Sequence, residues 1–220
     1  PLLVSRNMGL AVDQRAAKRV MDILISGIGI IITSPIMLII ATAVKAYDRG
    51  PVFYFQDRLT LGGKPFKICK FRSMCVDSEK NGARLASRHD SRITPVGHVL
   101  RNLHLDELPQ LFNVFKGDMS LVGPRPERES IMLEYEKELP EFYYRLKVKA
   151  GLTGYAQVYG KYNTTPYDKL KLDLSYIENY SLWLDLKLML LTLKILIKPE
   201  STEGVDSNQT TAMKNGEDRK

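Results

Sequence analysis

Residues Ile23 to Val44 read ILISGIGIIITSPIMLIIATAV, an apolar segment of 22 residues without a charged side chain. At about 1.5 Å per residue, a helix of this length covers the roughly 30 Å hydrocarbon core of a bilayer. The segment is too long for a cleavable signal peptide, and no small-residue cleavage site precedes the folded part. The sequence therefore predicts a membrane segment at residues 18–49, which separates a linker at residues 1–17 from a soluble part.

The flanking charges and the central Ser34-Pro35 pair decide how this segment is expected to sit in a bilayer. Basic residues stand on both sides of it: Lys18, Arg19, Lys45 and Arg49. The positive-inside rule therefore places both ends on the cytoplasmic side. Pro35 has no N–H to donate to the carbonyl of Ile31. The Ser34 hydroxyl can instead donate a hydrogen bond to a carbonyl one turn earlier, which makes a bend of the helix tolerable in lipid. A kinked spanning helix is the commoner structure, whereas the charge symmetry favours a re-entrant helical hairpin broken at Ser34 and Pro35.

Composition narrows the class of partner. The chain has 220 residues, a net charge of +7 and a pI near 9.3, which indicates anionic partners: nucleic acid, phosphorylated small molecules or an anionic membrane surface. Aromatic stacking platforms among the basic residues are not evident, so nucleic acid is not expected as a partner. Cys69 and Cys75 lack the number and spacing of a disulfide framework or a zinc site, and are expected to be reduced packing residues.

The soluble part, residues 50–198, is predicted to be mostly α with a short β-hairpin, an α+β fold. Residues 51–56 alternate aromatic and polar side chains, and a Gly-Gly-Lys-Pro turn at 62–65 leads to a second short strand at 66–68. Residues 78–92 are polar without periodicity and predict a surface loop. Residues 128–149 predict an amphipathic helix interrupted near Pro140. Residues 199–220 have few apolar side chains and predict a disordered tail.

A second apolar segment, residues 182–197, carries Lys187, Lys194 and Lys198. On a helix these lysines fall within about 40° of one another. A helix with a lysine stripe and Trp183 at its end suits the membrane interface. A core helix whose lysines extend to solvent fits equally well, and the alternation at its start also allows a strand.

Adjacent carboxylates, Asp106 and Glu107, lie inside the otherwise apolar heptapeptide Leu105-Asp106-Glu107-Leu108-Pro109-Gln110-Leu111. Two explanations are open. The pair could begin a helix, where the macrodipole favours negative charge. Alternatively, a cation, a hydrogen-bond network or a reaction could use the two acids, because desolvating them would otherwise be costly.

Four basic residues are candidates for binding phosphate near this pair. Lys70 and Arg72 alternate along a short strand and would present two donors on one face. Arg101 precedes Asp106 by five residues, and Arg125 stands between two prolines that restrict its backbone, which suits a bidentate clamp. Each residue alone is more often a solvated side chain. Together they predict a magnesium-assisted reaction at a phosphate, with Asp106 either as a metal ligand or as a nucleophile that attacks phosphorus.

Several motifs in order carry a family resemblance. They are Lys70-Phe71-Arg72-Ser73-Met74, the heptapeptide at 105–111 with Asn113-Val114, the segment from Gly117 to Pro126 (GDMSLVGPRP), and Gly151-Leu152-Thr153-Gly154 with Gln157-Val158. Over about residues 15 to 198 the chain resembles the bacterial sugar transferases that are monotopic polyprenyl-phosphate phosphoglycosyltransferases. The segment before residue 15 resembles the linker that follows an N-terminal multi-pass region in larger members, so the chain is expected to be their catalytic domain.

The resemblance implies transfer of a sugar-1-phosphate from a UDP-sugar to undecaprenyl phosphate, with release of UMP, at the start of exopolysaccharide, capsule or other glycoconjugate synthesis. It implies that Asp106 is the nucleophile and a ligand of Mg²⁺, and that Glu107 supports the site. Its phosphate-binding positions fall on Lys70, Arg72, Arg101 and Arg125. It also implies a re-entrant helix in the bacterial inner membrane, interfacial amphipathic helices, and a catalytic domain at residues 50–198 on the cytosolic face.

The chain departs from the family pattern at a few positions. Leu103 and His104 stand where many relatives carry small hydroxyl residues, Ala150 stands where proline often occurs, and residues 160–163 read Gly-Lys-Tyr-Asn instead of a more usual Gly-Arg-Asn. The catalytic motif is intact, so these departures leave the identity of the sugar open. The sequence also leaves open the oligomeric state, including a homo-oligomer. A phosphohydrolase of nucleotide sugars and a non-catalytic membrane adaptor are the competing functions.

Overall fold

The computed structural model describes residues 12–76, 78, 90–160 and 164–196. The α-helices of this part of the chain are α1 Val12–Asp48, α2 Pro95–Asn102, α3 Gln110–Lys116, α4 Glu129–Glu138, α5 Tyr155–Tyr159, α6 Pro166–Glu178 and α7 Leu182–Leu196. The strands are β1 Phe53–Leu59, β2 Pro65–Phe71, β3 Ser120–Val122 and β4 Gly151–Thr153. Short 3-10 helices occupy Leu61–Gly63, Leu105–Glu107 and Pro140–Lys147. The mostly helical fold predicted from the sequence is confirmed.

Helix α1 contains the predicted membrane segment. It begins at Val12, six residues before the predicted start, and it is one helix through Pro35 rather than two. Ser34 Oγ donates to the carbonyl of Ile31 at 2.8 Å, which is the carbonyl that Pro35 cannot reach. The predicted hydrogen bond from the Ser34 hydroxyl to a carbonyl one turn earlier is therefore confirmed, whereas the re-entrant helical hairpin stays a prediction.

Most of the apolar surface of α1 is uncovered. The helix is long and apolar enough to cross a membrane, and only 17% of its most apolar window is buried. Ile31 and Ile32, next to the Ser-Pro pair, are 74% and 69% exposed. Water around such a surface is unfavourable, so the exposed middle of α1 needs a partner or a lipid phase.

Both ends of α1 pack against the rest of the described chain. Near the start, the Lys18 ammonium pairs with Asp185 of α7 at 2.5 Å, and both side chains are buried. Asp22 Oδ1 accepts from Ser120 Oγ at 3.1 Å and from the Leu121 N–H at 3.0 Å. The second half of the helix packs in a small apolar cluster consisting of Met37, Ile40, Val44, Phe71 and Leu100.

Strands β1 and β2 form the predicted hairpin, which is antiparallel and longer than expected, with Phe53 paired to Phe71 and Leu59 paired to Pro65. Gly62 and Gly63 have φ of 68° and 75° in the connection, a conformation that glycine adopts at little cost. Because side chains alternate across the sheet, Tyr54 and Lys70 pair on one face, whereas Asp57 and Lys67 pair on the other.

Strands β3 and β4 form a second, parallel sheet that the sequence did not predict, with Ser120 paired to Gly151 and Val122 to Thr153. The chain approaches itself closely here: a Cβ on Gly123 would lie 2.3 Å from the carbonyl oxygen of Lys149. One on Gly154 would lie 2.1 Å from the carbonyl oxygen of Gly123. The GPRP and GLTG motifs, 25 or more residues apart in sequence, are therefore neighbours because neither backbone carries a side chain at the crossing.

The remaining predictions have mixed outcomes. The interrupted helix at 128–149 is confirmed as α4 followed by the 3-10 helix at 140–147, and α7 confirms a helix at the second apolar segment. Cys69 and Cys75 are free thiols; Cys69 is partly buried, but Cys75 is exposed, so the expectation of a packing role was wrong for Cys75. Residues 1–11, most of the loop at 78–92, Lys198 and the tail at 199–220 lie outside the described residues.

Candidate active site

The two carboxylates lie in a single turn between α2 and α3. Helix α2 begins with Thr94 as its cap, whose Oγ1 accepts from the Gly97 N–H at 2.9 Å. His104 then adopts φ 54° and ψ 20°, a left-handed conformation that is uncommon for a residue with a Cβ. The 3-10 turn at residues 105–107 follows, and α3 begins only at Gln110. The interpretation of Asp106 and Glu107 as a helix start is met in part: both acids lie in the first turn of this short 3-10 helix, and they precede the α-helix α3 instead of beginning it.

Two contacts hold this turn at a fixed position relative to the hairpin. The Asn113 side chain donates to the carbonyl of Lys67 at 2.8 Å and accepts from the Cys69 N–H at 2.9 Å, which fastens α3 to β2. On the other side, a Cβ on Gly97 would lie 1.9 Å from the carbonyl oxygen of Ser73, so α2 starts directly against the end of β2. The carboxylate turn is thus supported from both flanking helices.

Glu107 is the centre of the site. Its Oε1 accepts from Lys70 Nζ at 2.7 Å and from Arg125 Nη2 at 2.8 Å. The Glu107 side chain is 17% exposed, whereas the Arg125 side chain is 45% exposed and opens to solvent. One carboxylate oxygen therefore joins β2, the carboxylate turn and the GPRP loop.

This arrangement fixes the charge of Glu107. Burial would favour the neutral acid, but the Arg125 and Lys70 cations and their hydrogen bonds hold the pKa of Glu107 far below its usual range. The carboxylate of Glu107 in turn raises the pKa of Arg125, so neither group exchanges protons near neutral pH. Glu107 is consequently a fixed anion that orients two cations.

Asp106 has a different environment from its neighbour. Burial and the negative charge of Glu107 raise its pKa, opposed by the charges of Lys70, Arg101 and His104. Among the described residues, no hydrogen bond to the Asp106 carboxylate is found. An ionised carboxylate without hydrogen-bond donors keeps its lone pairs for a ligand or an electrophile.

The donor set fits a magnesium ion only in part. Within the described residues there is no group of three or more His, Cys, Asp or Glu side chains that could hold a metal by themselves. Mg²⁺ is, however, commonly held by one or two carboxylates, with water and substrate phosphates as the other ligands. Because Glu107 is bound by two cations, Asp106 is the residue that suits such an ion.

The structure brings together some of the predicted phosphate-binding residues but not all. Lys70 and Arg125 meet at Glu107, and Arg101, in the last turn of α2, is close enough to lower the pKa of Asp106. Arg72 makes different contacts: it pairs with Asp48 at the end of α1 and donates through Nε to the carbonyl of Pro51 at 2.6 Å. It is 6% exposed, so its observed contacts fasten the end of α1 to the hairpin.

A charged network behind the GPRP loop was not found from the sequence. Arg145 Nη2 donates to the carbonyl of Arg125 at 3.0 Å and pairs with buried Asp173 of α6 at 2.7 Å. Glu127 pairs with Arg145 at 3.4 Å and with Lys169, and these cations lower the pKa of Glu127 to about 2 although burial opposes them. These residues stand singly in segments rich in charge, so no spacing or motif marked them.

Comparison with known proteins identifies the relatives of this site. The family model described as bacterial sugar transferase matches residues 13–199. A UDP-N-acetylgalactosamine-undecaprenyl-phosphate N-acetylgalactosaminephosphotransferase of Aeromonas hydrophila is 45% identical over 183 residues, which cover 82% of this chain and 43% of that protein. A UDP-glucose:undecaprenyl-phosphate glucose-1-phosphate transferase of Klebsiella pneumoniae is 46% identical over 180 residues, with 80% and 39% covered.

A shorter relative, the UDP-glucose:undecaprenyl-phosphate glucose-1-phosphate transferase of Caulobacter vibrioides, is 40% identical over 197 residues. There the matched part covers 87% of this chain and 73% of that protein. The chain thus spans less than half of the first two relatives and about three quarters of the third.

Proposed function

Because the chain belongs to the bacterial sugar transferase family, we propose that it transfers a sugar-1-phosphate from a UDP-sugar to undecaprenyl phosphate and releases UMP. The observation that carries this proposal is the shared Glu107 carboxylate, which aims Lys70 and Arg125 beside an Asp106 carboxylate that is free of hydrogen bonds from the described residues. Relatives with this activity carry names that specify UDP-sugar donors and undecaprenyl phosphate as acceptor.

The reaction runs in two displacements at one phosphorus. In the first, an oxygen of Asp106 attacks the phosphorus that carries the sugar; the bond from that phosphorus to the bridging oxygen breaks, and UMP leaves with the electron pair. In the second, an oxygen of the lipid phosphate attacks the same phosphorus, and the bond to Asp106 breaks, which restores the carboxylate. Splitting the transfer this way lets a soluble and a lipid substrate use one site in turn.

The residues around Asp106 each have a task in these steps. Arg125, Lys70 and Arg101 bring positive charge to phosphate oxygens, and the charge-assisted bonds of Arg125 and Lys70 to Glu107 keep those two cations in place without a proton transfer. A Mg²⁺ ion held by Asp106 and donor phosphates would add charge neutralisation at the diphosphate. Glu107, which stays ionised, acts as a holder of cations and not as a general acid.

The contacts at the two ends of α1 support a re-entrant placement in the membrane. Lys18 is buried against α7 near one end of the helix, and Asp48 pairs with Arg72 at the other end. A straight span across a roughly 30 Å hydrocarbon core would separate these ends onto opposite sides of the bilayer. Contact of both ends with one folded domain supports the re-entrant arrangement, with the exposed Ile31 and Ile32 deep in lipid. The basic residues on both sides of the segment support the cytosolic face of the bacterial inner membrane as the side on which the domain lies.

Helix α7 supports the same placement. Its exposed face carries apolar side chains (Leu182, Trp183, Leu186, Leu190 and Leu193). Lys187 and Lys194 are also exposed, and on a helix wheel they lie within about 40° of the edge of that face. An apolar face bordered by lysines is typical of a helix in the plane of an anionic membrane interface. The active site would then lie at the depth where a polyprenyl phosphate presents its headgroup.

The test is incubation of the protein with a panel of UDP-sugars, undecaprenyl phosphate and magnesium, with UMP and the lipid-linked sugar measured together. We expect equal amounts of UMP and lipid product with at least one donor. Release of UMP without any sugar in the lipid fraction would identify a phosphohydrolase instead. Activity that is unchanged in Asp106→Asn would exclude the covalent route.

A further inference from the structure

The GPRP loop that carries Arg125 has few backbone N–H groups of its own. Pro124 and Pro126 have none, and the Gly123 N–H donates to the carbonyl of Thr153 at 2.8 Å. A segment with two prolines cannot complete a regular hydrogen-bonded ladder. The position of the loop therefore depends on the donors that reach its carbonyl oxygens.

Four consecutive carbonyls of this loop, at residues 124–127, accept hydrogen bonds. The two outer carbonyls accept from backbone N–H groups, at 2.9 and 3.0 Å. The two inner carbonyls accept from side chains: Arg145 Nη2 donates to the carbonyl of Arg125 at 3.0 Å, and Arg58 Nη1 donates to the carbonyl of Pro126 at 3.1 Å. The carbonyl of Arg125 is therefore held by a buried guanidinium group and not by a strand or a helix.

Helix α6 fixes the orientation of Arg145. Asp173 Oδ2 accepts from Arg145 Nε at 3.0 Å and pairs with Nη2 at 2.7 Å, and the two side chains are 2% and 1% exposed. Buried ion pairs are often no more stabilising than apolar side chains of similar size. What this pair provides in addition is direction, because a guanidinium held at two nitrogens has its remaining N–H groups oriented.

Asp173 belongs to a polar stripe along α6. The α6 stripe consists of Lys169, Asp173 and Tyr176, spaced four and three residues apart, so that they lie within about 60° of one another on the helix. Lys169 pairs with Glu127. The Tyr176 hydroxyl lies 3.2 Å from the carbonyl of Val122 and shares its proton with a carboxylate of α7 at 2.8 Å. The α6 stripe thus contacts residues on both sides of the GPRP motif, and it supports the motif itself through the guanidinium pair.

The Arg125 side chain depends on such support because little of it is packed. It is 45% exposed, and the bond from its Nη2 to Glu107 Oε1 at 2.8 Å holds its end. A long, half-exposed side chain returns to the same point only if its backbone is fixed. The precision matters, because a shift of about 1 Å in a group that acts on the reacting atoms can cost roughly 100-fold in rate.

We infer that Arg145 and Tyr176 are positioning residues of the transfer reaction, which hold the GPRP loop from α6 so that the Arg125 guanidinium meets Glu107 next to Asp106. In this role neither residue touches a substrate, and each acts through the backbone of the loop. The inference rests on the proposed function. It extends the active site to a helix that lies outside the motifs with the reacting groups.

The first experiment is a double-mutant cycle with Arg125. Arg145→Lys keeps a cation beside Asp173 but loses the planar fork that reaches the Arg125 carbonyl. We expect kcat/KM for the UDP-sugar to fall about tenfold in this variant. In the Arg125→Ala background the same change should cost less than about a factor of two, since no guanidinium is left to position. Equal losses in both backgrounds would mean that Arg145 acts on the fold alone, and would overturn the inference.

The second variant, Tyr176→Phe, removes one hydroxyl and leaves the ring in place. Tyr180→Phe is the matched control, because the buried Tyr180 hydroxyl has no hydrogen-bond partner in the described part of the chain. Tyr176→Phe should lower kcat/KM about fivefold, whereas Tyr180→Phe should stay within a factor of about two of wild type. Wild-type activity of Tyr176→Phe, or an equal loss in Tyr180→Phe, would refute the role of Tyr176.

Hydrogen exchange of the loop separates the inference from the proposed function, because it needs no turnover. In Arg145→Lys the amides of residues 119–128 should exchange about tenfold faster than in wild type, whereas those of α2 at residues 95–102 should not change. Exchange also decides if Arg125→Ala has no measurable activity, and if Arg145→Lys does not fold, Tyr176→Phe takes its place. A wild type that transfers no sugar refutes the function. Loop exchange that is unchanged, or that rises equally in α2, refutes the inference.

Discussion

At the scale of single residues, two adjacent acids have opposite electrostatic environments. Lys70 and Arg125 lower the pKa of Glu107, whereas burial and the charge of Glu107 raise the pKa of Asp106. Two acids whose pKa values are shifted in opposite directions are suited to different roles. Glu107 is a permanent anion for structure, and Asp106 is the carboxylate available for chemistry.

The first prediction concerns Glu107→Gln. Removing the negative charge removes one cause of the raised pKa of Asp106, so the acidic limb of kcat/KM against pH should move to lower pH. The value of kcat/KM at neutral pH should fall by at least about tenfold, because Lys70 and Arg125 lose a charged hydrogen-bond partner. Glu129→Gln, an exposed acid in the first turn of α4, is the control. An acidic limb that stays in place would refute the coupling between the two acids.

The sequence identified part of this site by residue type. Asp106, Glu107, Lys70 and Arg125 could be selected because carboxylates in an apolar heptapeptide and a proline-flanked arginine are unusual. Arg72 stands two residues from Lys70 but pairs with Asp48. The alternation of side chains along a strand could not predict this pairing, because Asp48 belongs to α1 and lies 24 residues away in the sequence. Arg145 and Asp173 were missed for the same reason, since their pairing exists only after α6 packs against the 3-10 helix.

At the scale of elements, the crossing of the GPRP and GLTG segments positions Arg125. A Cβ on Gly123 would meet backbone atoms of Lys149 and Gly151, which cannot rotate away as a side chain could. The tight crossing explains how two three-residue strands can be stable enough to carry the loop. Strands this short have no periodic pattern, so hydrophobic alternation could not predict them.

The second prediction tests this crossing. Gly123→Ala should lower the free energy of unfolding by about 1–3 kcal/mol, as overpacking does, and lower the yield of active protein. Gly27→Ala is the matched control, because its Cβ would lie 3.4 Å from the Phe115 ring, an ordinary contact. The comparison uses thermal unfolding in detergent. Equal stability of the two variants would contradict the proposed packing constraint.

A third prediction concerns the junction of α1 with β3. Asp22 is 2% exposed and accepts hydrogen bonds from Ser120 and the Leu121 N–H, a few residues before Arg125. Asp22→Ala leaves these donors buried without a partner and should cost about 1–3 kcal/mol of stability. Asp13→Ala, an exposed acid in the first turn of the same helix, should change stability little. If both variants unfold at the wild-type temperature, Asp22 does not join α1 to the site.

At the scale of the whole molecule, hydropathy predicted the membrane helix but could not decide its path. Tertiary contacts support the proposed re-entrant path: Lys18 pairs with Asp185, and Asp48 pairs with Arg72 on the same folded domain. The apolar side chains next to Ser34 and Pro35 are uncovered, and Ile31 and Ile32 are among the most exposed hydrophobic side chains. A helix that lies in lipid at its middle and on protein at its ends accounts for both observations.

A fourth prediction tests this topology. Single cysteines at Val12 and Tyr47, which are 82% and 51% exposed, are introduced after Cys69 and Cys75 are replaced by alanine. In a re-entrant helix both should react with a membrane-impermeant reagent in inverted vesicles and neither in intact spheroplasts. Labelling of one position from each side would instead establish a spanning helix.

The central claim is that Asp106 carries the phosphosugar between the two substrates, and intact-protein mass spectrometry tests it most directly. Wild type incubated with its UDP-sugar in the absence of lipid should gain the mass of one phosphosugar, which peptide mapping assigns to Asp106 and which undecaprenyl phosphate removes. Asp106→Asn should gain nothing. Wild type that transfers sugar to lipid but never carries the added mass, or an Asp106→Asn variant that still transfers, would contradict the account.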